Sequence, residues 1–201
     1  TRIGLGRARI AAFDRLPALL PATDGLPTVD AFRVAVAAIA PVEGLAFVLD
    51  SAAAEVAWLP VAVLGDPAVR DAVRATLGSR TIAAHPAKPI LRTLLDADDA
   101  APLPAIAIDT TLAAYLLDPA ETRYSIEDVL ARYAHLELPA GTAAPSGQLD
   151  LGGDTVDVGL ITARHALAVS RLVEPMLASL DANGLRSLHD DIETPLVAVL
   201  A

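Results

Sequence analysis

Gly44-Leu45-Ala46-Phe47-Val48-Leu49-Asp50 decides the fold, together with Glu55-Val56-Ala57-Trp58-Leu59-Pro60-Val61-Ala62-Val63 just after it. Both runs are apolar, contain β-branched or aromatic residues and are shorter than an ordinary helix. The turn-like Asp50-Ser51-Ala52-Ala53-Ala54 separates them, so they read as two buried strands in a hairpin. A strand apolar on both faces belongs in a sheet covered on both sides, which is an α/β arrangement. Such proteins place their chemistry at strand ends, and Asp50 stands at the end of the first run.

Working outward, Thr28 to Ile39 reads as a helix. Thr28 or Asp30 would cap it, Phe32, Val36 and Ile39 would share a stripe, and Pro41 would end it. After the hairpin, Asp66-Pro67 opens a helix with Val69, Val73 and Leu77 inward, closed by Gly78. Arg80 to Ala84 is a short strand, Lys88 to Leu95 a helix with Ile90, Leu91, Leu94 and Leu95 inward, and Ala105 to Ile108 another strand. Asp109 caps the helix from Thr110 to Leu117, and Ser125-Ile126-Glu127-Asp128 approximates a capping box for the next. The stretch from Leu138 to Thr155 is a Pro- and Gly-rich loop. Asp157 to Leu180 is the longest helical pattern, with Pro175 expected to kink or break it. Asn183-Gly184 is a C-cap signal, and a last helix runs from Leu185 to Ala201 as an element continuing further. Residues 1–27, locally basic and broken by Gly and Pro, read as a linker or arm. The whole predicts a mixed sheet with helices on its faces.

Composition bounds the chemistry. The 201 residues suffice for one sizeable domain. They are 54% hydrophobic but only 3% aromatic, so the core is built from Ala, Leu, Val and Ile. There is no Cys, which excludes disulfides and thiolate metal sites. No apolar run reaches the ~18 residues that span a bilayer. The net charge is −10, and Lys88 is the sole lysine. A surface this acidic repels a phosphate backbone, so any positive groove for DNA must come from elsewhere.

Asp109-Thr110-Thr111-Leu112-Ala113-Ala114-Tyr115-Leu116-Leu117 resembles an Asp-Thr-x-Leu-x-x-Tyr-Leu-Leu helix in the 3′–5′ proofreading exonuclease domain of bacterial DNA polymerase I. Ser125 to Tyr133 resembles the helix that follows it there. Glu193-Thr194-Pro195-Leu196-Val197 resembles the family's Glu-x-Pro-Leu segment at the junction to the polymerase domain. The similarity covers roughly residues 28 to 201. It implies an α/β, RNase H-like (DnaQ-type exonuclease) mixed sheet flanked by helices. It implies three parts: a linker or arm over residues 1–27, an exonuclease-like domain over 28–184, and the start of a helix into the polymerase domain over 185–201. The implied partners are that covalently linked polymerase domain, an upstream 5′ nuclease domain, and DNA through the parent. Mg²⁺ would serve the parent polymerase domain. A cytoplasmic monomer, nucleoid-associated through the parent and without membrane contact, is the expected setting.

Active members of the family hydrolyse DNA with two divalent ions about 3.5–4 Å apart. Those ions need hard oxygen ligands, hence a set of carboxylates and a water-orienting Tyr. Carried over residue by residue, the set mostly fails. The family's first strand ends in Asp-x-Glu, and Val48-Leu49-Asp50 is matched to it. Asn-x-Lys-x-Asp opens a later helix, and Pro86-Ala87-Lys88-Pro89-Ile90 puts Ile90 for the Asp. Tyr-x-x-x-Asp lies on a late helix, and Ile161-Thr162-Ala163-Arg164-His165 puts Ile161 for the Tyr and His165 for the Asp. No acid occurs from Val158 through Val173 or from Ala72 through Leu95, so a shift of alignment supplies none. Asp50 is the surviving candidate metal ligand. Arg164 would set a positive charge beside the place a cation sits.

The other candidates weigh less. His85 and His165 are not spaced as a zinc pair. The Asp96, Asp98 and Asp99 run reads as a solvated loop, Lys88 as a surface residue at a helix start, and Trp58 and Tyr115 as core. The expectation is a degenerate exonuclease-like scaffold without cofactor in this domain. Its alternatives are an active metal-dependent exonuclease with relocated ligands and a non-enzymatic acidic interaction domain.

Overall fold

The computed structural model describes residues 33–38, 42–51, 54–78, 80–94, 104–138 and 158–201. Its strands are β1 (Arg33–Ala37), β2 (Gly44–Asp50), β3 (Glu55–Pro60), β4 (Thr81–His85) and β5 (Ala105–Asp109). Its helices are α1 (Val61–Leu64), α2 (Pro67–Gly78), α3 (Ala87–Leu94), α4 (Thr110–Leu117), α5 (Ile126–Val129), α6 (Val158–Ala182), α7 (Arg186–Leu188) and α8 (Thr194–Val199). Single π-helical turns, Leu130–Ala134 and His189–Glu193, extend α5 and join α7 to α8.

The described strands form one sheet in the order β3-β2-β1-β4-β5. β2 is antiparallel to both β1 and β3, while β4 runs parallel to β1 and to β5. This is the α/β, RNase H-like mixed sheet flanked by helices. The hairpin is as read, except that β3 stops at Pro60. Proline has no N–H to give the ladder, and Val61 turns into α1 with its amide on the Glu43 carbonyl (2.7 Å).

The segment from Thr28 to Ile39 is not a helix where it is described. Arg33-Val34-Ala35-Val36-Ala37 is β1, in the middle of the sheet. An alternation of Val and Ala satisfies period 2 as well as it satisfies a helical stripe. The parallel pairing of Val34 with Ile82 and of Val36 with Ala84 decides between them. Thr28, Asp30, Phe32 and Ile39 lie outside the described residues, as do residues 1–27, Leu95 and the Asp96–Asp99 run.

Alternation along the strands divides the core into two. Ala35, Ala37, Ala46, Val48, Ala83 and Ile108 join α4, α5 and α6 on one face. Val36, Leu45, Phe47, Leu59 and Ile82 join α2 and α3 on the other, through Val73, Leu77, Ile90, Leu91 and Leu94. The alanines on the first face let α6 lie close, with its own Ala163, Ala166, Leu167 and Val169 buried against them. α6 continues without a break through Pro175. It ends at Gly184 (φ 67°), with Leu185 N–H on the Leu180 carbonyl (2.9 Å) and Gly184 N–H on that of Asp181 (3.1 Å).

Candidate functional site

The residues matched to metal ligands do not assemble. Val48-Leu49-Asp50 lies on the second strand of the described sheet, not the first. The first described strand, Arg33–Ala37, carries no acid. Val48 is buried among the α6-side residues. Asp50 is exposed beyond a register shift, opposite Glu55. It sits at the sheet edge where β1, β4 and β5 begin. The segment with Lys88 and Ile90 follows β4 at the other edge, a strand's length of about 17 Å away. Ile90 is fully buried on the far face of the sheet from Val48. Ile161 and His165 are buried on α6. Further along that helix, Arg171 donates to the Ser51 carbonyl (2.8 Å) and ties α6 to the hairpin turn.

The polar groups that do meet lie where the parallel strands β4 and β5 end. Ala84 pairs with Asp109, so the residues following each strand come side by side. His85 Nδ1 lies 2.8 Å from Thr110 Oγ1 and 3.1 Å from Thr111 Oγ1. The Thr110 hydroxyl donates to the Ala84 carbonyl (3.1 Å). Its oxygen is then the acceptor toward His85, which assigns the proton to Nδ1. Burial, and next to it the charge of His165, lower the His85 pKa to about 4, against the pull of Glu127. On α5 and α6, Glu127 Oε1 lies 3.4 Å from His165 Nε2. The nearby His165 ring holds the Glu127 carboxyl below its usual range. The two histidines, far apart in sequence, thus belong to one neighbourhood. The signal that could have found it is the adjacency of two parallel strand ends, which needs the sheet order first.

Asp109 is the floor of this edge. It is buried, and burial raises its pKa. Oδ1 accepts from Thr111 N–H (2.9 Å) and Leu112 N–H (3.2 Å), the first turn of α4, and Oδ2 from Ala87 N–H (2.8 Å), the start of α3. One carboxylate caps two helices. Its oxygens are thereby spent on amides, and no group of three or more His, Asp or Glu among the described residues could hold a metal ion. Two hard divalent cations need several free carboxylate oxygens, so this donor set does not fit them. What the arrangement does is join the starts of α3 and α4 to the sheet, with α5 and α6 alongside.

A cleft of about 410 Å³ adjoins it, lined by Pro86, Lys88, Thr111, Tyr115, Tyr124 and, on and just after α8, Leu196, Val197 and Leu200 among others. Tyr115 stands edge-on to Tyr124 (centroids 6.2 Å) and is 49% exposed. It is a cleft wall rather than the core residue expected. Trp58 is half-buried and packs against the α6-side core.

No protein-family model matches the chain. It is 30% identical over 105 residues to DNA polymerase I of Mycobacterium bovis and, equally, of Mycobacterium tuberculosis, 49% of this chain and 11% of theirs. The chain therefore spans about a tenth of the length of these curated relatives. The solved POL domain of Pol1 from M. smegmatis, in complex with DNA primer-template and dNTP, shares the fold. Its TM-score is 0.61 at 23% identity, over 82% of this chain and 27% of that one. The sequence likeness and the shared architecture together make this chain a domain related to DNA polymerase I.

Proposed function

We propose that the chain is a catalytically silent exonuclease-like domain of a DNA polymerase I, a scaffold for a polymerase that acts in DNA repair and replication. One observation carries the reading. Ile90, matched to an Asp, is buried in the α3-side core, Ile161, matched to the Tyr, is buried on α6, and the first described strand, Arg33–Ala37, carries no acid. Removing one member of a buried ionic cluster strands the others, and refilling the place with apolar groups stabilises the fold. The same logic accounts for a sheet packed solid where a cation nest would otherwise open.

On this reading, residues 28–184 are the exonuclease-like domain, 1–27 a tether toward an upstream nuclease module, and 185–201 the entry into the polymerase module. Mg²⁺, dNTPs and DNA engage the parent elsewhere. The acidic chain, at −10, leaves the DNA-binding groove to those modules. The test mixes the chain with end-labelled single-stranded DNA and Mg²⁺ or Mn²⁺. The expected result is no metal-dependent release of 3′ nucleotides. Release that Asp50→Ala abolishes would favour an active exonuclease with relocated ligands instead.

A further inference from the structure

Two imidazoles and one carboxylate meet where β4, α4, α5 and α6 converge. His85, at the end of β4, is held by the Thr110 and Thr111 hydroxyls at the start of α4 (2.8 and 3.1 Å). His165 on α6 is only 8% exposed, and its Nε2 makes no hydrogen bond. Glu127 Oε1 on α5 lies 3.4 Å from that nitrogen. The charges that act on His85 are those of His165 and Glu127, with opposite signs. The other acids of these elements are engaged. Asp109 gives its oxygens to three amides, Asp128 accepts from the Ser125 hydroxyl (2.6 Å), and Asp118 and Glu121 pair with Arg132 (2.9 Å each). Lys88, Arg123 and Arg164 on the flanking segments are positive and balance no proton.

Charge counting decides what happens as protons arrive. A charge out of water is tolerated when paired and costly when alone. Glu127 matches one imidazolium. A second proton leaves one positive charge without a partner, so the closed site refuses it and an opened, hydrated site accepts it. The piece with least to hold it is α5. It is four residues long, continues as a single π-helical turn, and stops at His135 in the left-handed region (φ 54°). Ile126, Val129 and Leu130 are its buried attachments to the α6-side core.

We propose that His85, His165 and Glu127 form an acid-triggered latch: the closed site holds one proton, and a second releases residues 126–134 from α6 and from the end of β4. The latch is independent of the scaffold reading. Hydrogen–deuterium exchange of the chain, followed from neutral pH downward and corrected for the intrinsic pH dependence of exchange, tests it. Between pH 6.5 and about 4, protection over residues 126–134 should fall by at least about tenfold, while α2, across the sheet, keeps its own. Two variants change the count in opposite directions. His165→Gln leaves one imidazole to one carboxylate, and the opening should move to lower pH. Glu127→Gln leaves two imidazoles and no carboxylate, and the opening should move to higher pH. The Glu127 side chain is 38% exposed, so that variant keeps the core intact. Either shift is readable should the other variant fail to fold. Constant protection across the window overturns the latch. So does a loss over residues 126–134 that α2 shares, which is global acid unfolding, and so does a shift in the same direction for both variants.

Discussion

A carboxylate as buried as Asp109 is costly unless its oxygens are occupied, and here three backbone amides from two helices occupy them. A single N-cap is worth about 0.5–2 kcal/mol, so Asp109→Ala should cost about 1–4 kcal/mol in urea unfolding. A loss under 0.5 kcal/mol would show that water replaces the carboxylate. The α4 cap is legible in the sequence, as an Asp between an apolar run and a helical pattern. The bond to Ala87 is not, because it exists only once β4 and β5 lie side by side. His85 makes a pH prediction. Between about 4 and the ordinary 6.5, the unfolded imidazole takes a proton that the folded one refuses. Stability should thus rise with pH across that window, by up to about 3 kcal/mol, and be lost as pH falls through it. His85→Gln, which keeps a donor for Thr110, should flatten the pH dependence of unfolding free energy there. An unchanged slope would assign it to other groups.

Elements announced by local chemistry were readable: the hairpin, α2 behind Asp66, whose Oδ1 takes the Ala68 amide (2.9 Å), α5 behind Ser125, and the Gly184 stop. β1 was not, because its Val-Ala alternation acquires meaning only from the strands beside it. Taking the hairpin for the start of the sheet matched the first-strand motif to what is the second described strand. The small side chains that blurred β1 also set how close α6 comes. Ala166 is fully buried there, and Ala166→Leu should cost about 1–3 kcal/mol by overpacking, read as a lowered Tm. The hairpin has its own steric limit. A Cβ on Gly44 would lie 2.5 Å from the Leu59 carbonyl oxygen and against the Trp58 ring. Gly44→Ala should therefore destabilise by more than the few tenths expected at an open strand position.

At the scale of the whole molecule, the sheet order 3-2-1-4-5 places Asp50 and the Lys88 segment at opposite edges and Ile90 and Val48 on opposite faces. No single side chain reveals this, and a residue-by-residue carry-over could not. It registers only that no acid occurs from Val158 through Val173 or from Ala72 through Leu95. Acidity elsewhere does not substitute, since two-ion chemistry needs carboxylate oxygens converging within a few ångströms rather than a net charge of −10. Among the described residues no helix is long and apolar enough to cross a membrane. The most direct test of the silent-scaffold account is Mn²⁺ binding to the chain, followed by electron paramagnetic resonance with and without a 3′-terminal nucleotide. The account predicts no saturable uptake and no effect of Asp50→Ala. Stoichiometric binding of two Mn²⁺ ions, lost in that variant, would contradict it.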